Sequence, residues 1–175
     1  MPAYGRTTRL FHWATVVAVV SQFVVGYSMD AGDGRGRGRG RGRGDESGRG
    51  RGRGRGGDLD VFGDNRLLTI HVLLGVTILV LTVLRLWWRA RTTLPPWAPG
   101  LSHRERTLAH WTERALYALL FAIPLSGLWL VLVSDDAVGF HIAAHIAFFV
   151  VIAAHVGLVL KHQLVDRDRL LRRML

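Results

Sequence analysis

Apolar residues along this chain gather into four long blocks, at residues 11–29, 67–88, 115–133 and 138–160. A bilayer core ~30 Å thick takes about 20 apolar residues of helix at 1.5 Å per residue. Each block is near that length, so the pattern predicts four membrane-crossing helices. The connections fit: Leu94-Pro95-Pro96-Trp97-Ala98-Pro99-Gly100 reads as a stiff turn, and Ser134-Asp135-Asp136 closes a tight antiparallel hairpin between spans three and four. Ahead of span three, Ser102-His103-Arg104-Glu105 has capping-box spacing, and Pro124 mid-span predicts a kink. Trp13, and Trp87 and Trp88 interleaved with Arg85, Arg89 and Arg91, mark interface depth. The expected architecture is all-α: an integral membrane four-helix bundle forming a single domain over residues 1–175.

Residues 30–65 break this pattern. Positions 32–57 are largely Arg-Gly dipeptides interrupted by Asp45-Glu46-Ser47. Glycine at every second position can neither build a core nor be ordered cheaply, so a disordered Arg-Gly-rich loop is expected. RNA-binding tracts of this kind interleave aromatic residues for stacking, and none occurs here before Phe62, so nucleic acid is not the expected partner. A low-complexity expansion in a tolerant loop is the simpler account. Its nine arginines could also steer small anions by their field.

Composition narrows the chemistry. Of 175 residues none is cysteine. That removes disulfides, iron–sulfur clusters, thiolate ligation of haem and covalent haem attachment. Four spans leave no room for a soluble catalytic domain. The first block is long for a signal peptide and lacks a cleavage site after it, so it is expected to stay as a helix. The charge of +10 is informative only by its distribution. Thirteen lysines and arginines lie on the side of the N-terminus, the second loop and the tail, against ten on the other side, nine of them in the Arg-Gly tract. Without the tract the ratio is thirteen to one, which places both termini in the cytoplasm.

Histidines carry the candidate chemistry. An ionisable side chain in a membrane span is costly and usually functional. His141 and His155 are fourteen residues apart on span four. That is nearly four whole turns, so both leave one face, about 21 Å apart along the axis. The topology puts His12 near the cytoplasmic start of span one, level with His155, and His71 near the outer start of span two, level with His141. Two depths with two histidines each, on different helices, would make two bis-imidazole haem b sites. Zinc would want three or four ligands in one sphere, which this separation opposes. Gly26 shares a face with His12, and Gly75 follows His71 by one turn. His145 is the alternative outer ligand, off-face from His155 by about 80°. His110, His162 and Lys161 fall at the cytoplasmic edge, as a solvated rim or a proton-delivering quinone pocket. His103 is expected in a loop.

The stretches Arg9–Ala14 (R-L-F-H-W-A), Ile70–Gly75 (I-H-V-L-L-G), the run from Ala109 to Gly127 and the span-four sequence beginning F-H-I-A-A-H resemble the bacterial cytochrome b561 family. The resemblance covers nearly all of the chain except the Arg-Gly tract. It implies a bacterial inner-membrane protein with two haems b on His12, His71, His141 and His155. It further implies electron passage between an outer one-electron donor and ubiquinone. Superoxide oxidases of that family suggest superoxide as donor, met near Arg66. A competing reading is a haem-b anchor relaying electrons for a soluble dehydrogenase or hydrogenase partner. A third is a haem-free transporter.

Overall fold

The computed structural model describes residues 4–33, 66–93, 101–167 and 174. Most of the Arg-Gly tract, the Pro-rich turn and most of the tail lie outside these, and so does the disorder expected for the tract. Among the described residues four helices carry the fold: α1 (Arg6–Asp33), α2 (Arg66–Arg91), α3 (His103–Leu132) and α4 (Val138–Leu164), with a 3-10 turn, Asp135–Ala137, before α4. All four are long and apolar enough to cross a membrane. At 26 residues or more each exceeds the hydrocarbon thickness, with about 39 Å available in the shortest.

The helices outrun the apolar blocks because hydropathy marks where lipid begins, not where hydrogen bonding ends. α1 starts at Arg6, five residues before its apolar block, and runs to Asp33. α3 starts where the capping box sets it. The Ser102 hydroxyl accepts from the Glu105 amide at 3.4 Å, and the Glu105 carboxylate accepts from the Ser102 amide at 2.8 Å. His103 is therefore the first helical residue rather than a loop residue. α3 continues through Pro124.

Neighbouring helices run antiparallel, α1 on α2, α2 on α3 and α3 on α4. Among the described residues no Cα of α1 comes within 8 Å of one in α4. The bundle is thus parted along that side, bridged by the Phe23 ring, whose centroid lies 4.7 Å from that of Phe149 and 5.7 Å from that of Phe148. The packed centre is small: Ala18, Ile78, Leu120, Ile123, Ala144 and Phe148. Outward positions are apolar as well; Val17, Val24, Leu132 and Val150 are each more than 60% exposed. Such a surface suits hydrocarbon, not water. Buried hydroxyls turn back on their own helix, Thr15 donating to the Phe11 carbonyl and Thr82 to that of Ile78, both at 2.7 Å.

Candidate cofactor site

Cross-helix contacts fix the register and divide the polar interior into two levels. The terminal level lies where α1 and α3 begin and α2 and α4 end. There the Trp88 indole donates to the Thr8 hydroxyl at 3.2 Å, and Arg89 holds both Glu113 oxygens, at 2.5 and 3.1 Å. The loop level lies at the opposite ends of the same helices. There Gly26 and Gln22 of α1 meet His71 of α2, and Ser126 and Gly127 of α3 meet His141 of α4.

At the terminal level His12 is half-buried, with Trp13 edge-on at 5.5 Å. Its Nδ1 is buried and, among the described residues, has no hydrogen-bond partner. His12 and His155 lie within electrostatic range of each other, and Arg85 is within range of both. The two histidines stand on α1 and α4, the helices that part.

At the loop level the proton inventory can be worked out. Ser126 has one hydroxyl proton, and it goes to the Ile123 carbonyl at 2.9 Å. The Ser126 oxygen, 2.8 Å from His141 Nδ1, must then accept, so Nδ1 carries the hydrogen and Nε2 the lone pair. His71 reaches the same tautomer by another route. The Gln22 amide nitrogen can only donate, so His71 Nε2 at 3.0 Å accepts. The proton is then on His71 Nδ1, which is buried without a partner. His141 therefore presents a free Nε2 lone pair, the form in which imidazole binds a metal, whereas that of His71 is taken by Gln22 and is freed only when that amide turns away.

Glycine makes room for both. A Cβ on Gly26 would stand 3.2 Å from His71 Cε1, and one on Gly127 would stand 3.2 Å from His141 Cε1. Gly75 backs the same region, 3.7 Å from the Gln22 amide by the same measure. His145 belongs to this level too, its ring 4.4 Å from His141 and 5.3 Å from Phe23. It is also within electrostatic range of His71. The level holds three histidines, and the structure brings both His141 and His145 to it.

The expected quinone-side residues fare differently. His110 is exposed on α3, and Lys161 is exposed on α4. His162 is completely buried, not at a solvated rim. The last turn of α4 and the cap of α3 close over it. His162 Nδ1 lies 3.1 Å from Asp166, and Lys161 Nζ bridges Glu105 and Asp166 at 2.5 and 2.8 Å. Glu105, His162 and Asp166 are near enough together to hold a cation, but the Lys161 ammonium already stands between the carboxylates. Arg66, expected near the donor, is the exposed first residue of α2.

The Nε2 lone pair of His141, the buried Nδ1 of His12 and glycines where a side chain would crowd an imidazole fit a flat metal complex held by histidine. Gln22, Ser126, Gly127 and Arg85 were not singled out as site residues by sequence. The only signal was polarity or smallness inside an apolar run, which does not name a partner on another helix. A family model described as prokaryotic cytochrome b561 matches residues 3–175. No curated protein matches the chain.

Proposed function

The chain belongs to the prokaryotic cytochrome b561 family, whose members are haem b electron-transfer proteins of the membrane, and from that premise we propose a two-haem cytochrome that passes electrons across the bilayer from superoxide to ubiquinone. The supporting observation is the pair of histidine levels on opposite ends of one bundle. His12 and His155 would hold one haem iron, His71 and His141 the other. Bound haem b supplies one-electron redox chemistry.

The chain's own residues do the rest. Two imidazoles from the protein would hold each iron, which disfavours binding of oxygen. Ser126 orients His141 and fixes its tautomer. Gly26 and Gly127 keep side chains away from the His71 and His141 rings. Arg66 would give the loop end a local positive charge for an anionic donor. That end faces outward if the excess of lysine and arginine at the terminal end is cytoplasmic. His110, His162 and Lys161 at the terminal end would serve proton delivery to quinone. Each superoxide gives up one electron and leaves as dioxygen, so two superoxides and two protons yield one quinol.

The test is haem stoichiometry joined to turnover. Purified protein should contain two haems b, and His155→Ala and His71→Ala should each lose about one per chain. If both variants keep two, the ligand assignment is wrong. Reduction of ubiquinone by the isolated protein supplied with superoxide supports the donor. No reduction, with co-purification of a dehydrogenase or hydrogenase, selects the anchor reading instead.

A further inference from the structure

Arg85 is half-buried on α2, two turns before the helix ends and one turn inside the interfacial Trp88. A guanidinium at that depth needs a counter-charge. Among the described residues no carboxylate lies within ion-pair distance of Arg85. The nearest acid in the register, Glu113, has both oxygens taken by Arg89. Arg85 instead rests over the Tyr117 ring, 5.5 Å from its centroid, within electrostatic range of both His12 and His155. Tyr117 thus fixes the guanidinium beside the gap between α1 and α4. Arg89 and Glu113 neutralise each other, and the charge of Arg85 is left beside the two histidines.

We propose that Arg85 receives a propionate carboxylate of the porphyrin held between His12 and His155, which deepens the ligand assignment above and rests on it. The complement is chemical. A haem b brings two carboxylates, and a guanidinium fork binds one in bidentate fashion at a site too dry to leave either charge alone. Arg85 is a positioning residue. It fixes the porphyrin's rotation about the His12–His155 axis and neutralises a negative charge close to the iron. Loss of that cation leaves the carboxylate uncompensated and favours the ferric form.

Redox titration of the purified two-haem protein tests this, with His12→Ala run first to identify the haem of the terminal level. If His12→Ala keeps two haems, the ligand assignment itself has failed. If it loses one, Arg85→Gln should lower the midpoint potential of that haem and leave the other unmoved, with Arg85→Lys close to wild type. Loss of that haem from the glutamine variant but not from the lysine variant also supports the proposal. Loss from both overturns it, since lysine would still supply the charge. Unchanged potentials overturn it too, and a raised KM for quinone alongside them assigns the guanidinium to the quinone.

Discussion

A Cβ on Gly26 of α1 would stand 3.2 Å from Cε1 and 3.4 Å from Nδ1 of His71 on α2. The first of those distances is tighter than nine in ten real Cβ contacts, so a larger residue there requires the imidazole to shift. A glycine in a membrane helix often serves close helix packing, but here the atoms in the way belong to a histidine ring. Gly26→Leu should displace His71 and leave about one haem per chain. Gly26→Ala, which asks for a few tenths of an ångström, should lower occupancy only slightly. Pyridine haemochrome counts on the two variants decide it. Equal counts of two would show that His71 holds nothing.

Ser126 makes a separable contribution. Its oxygen accepts from His141 Nδ1, a bond that makes an imidazole a better donor through its other nitrogen. Ser126→Ala removes that acceptor from a position only 7% exposed. Neutral hydrogen bonds contribute about 1 kcal/mol net, and partners of this kind tune metal affinity roughly 10–100-fold. The variant should keep both haems when freshly purified, release one faster on dilution into apomyoglobin, and raise that haem's midpoint potential. A potential equal to wild type would mean His141 is not an axial ligand.

How far sequence reached can be seen in these two residues. The helices were legible because each must present some 20 apolar residues to lipid, and the start of α3 was legible because Ser102 and Glu105 satisfy each other locally. The depth of each histidine follows from topology alone. The residues around them do not. Gln22 meets His71 forty-nine positions away, and Ser126 meets His141 across a hairpin. A polar residue in an apolar run announces a cost but not who meets it. The sequence left His162 at a solvated rim or in a quinone pocket, and burial removes the first for the same reason. Its position in the last turn suggested solvent, and only the fold shows α3's cap and Asp166 enclosing it.

The Arg-Gly tract allows a prediction independent of the site geometry. The helix packing described above is made by residues outside 34–57, so replacing that stretch with a short uncharged linker should leave haem content and reduced spectrum intact. Its nine arginines would act only through their field, which falls off over about 8 Å at physiological salt. The superoxide-driven rate of the intact chain should therefore fall with added salt, and that of the shortened chain should fall less. Parallel salt curves would leave the tract without a part in donor capture.

The third histidine of the loop level separates two ligand sets that share every other residue. His141 is held from behind, with Ser126 on its Nδ1 and Gly127 against its Cε1. His145 instead sits edge-on to Phe23 at 5.3 Å, toward the side where α1 and α4 part, and among the described residues makes no hydrogen bond to α3. Fixed orientation by a second group is the usual mark of a ligating imidazole. His145→Ala should therefore retain two haems with unaltered bis-imidazole electron paramagnetic resonance signals, while His141→Ala should lose one haem. The rings stand 4.4 Å apart, so a rescue of His141→Ala by His145 is geometrically available. A His141→Ala protein that keeps two haems, together with a His141→Ala/His145→Ala protein that keeps one, would reveal that exchange. Loss of a haem from His145→Ala alone would reverse the assignment, making His145 the partner of His71.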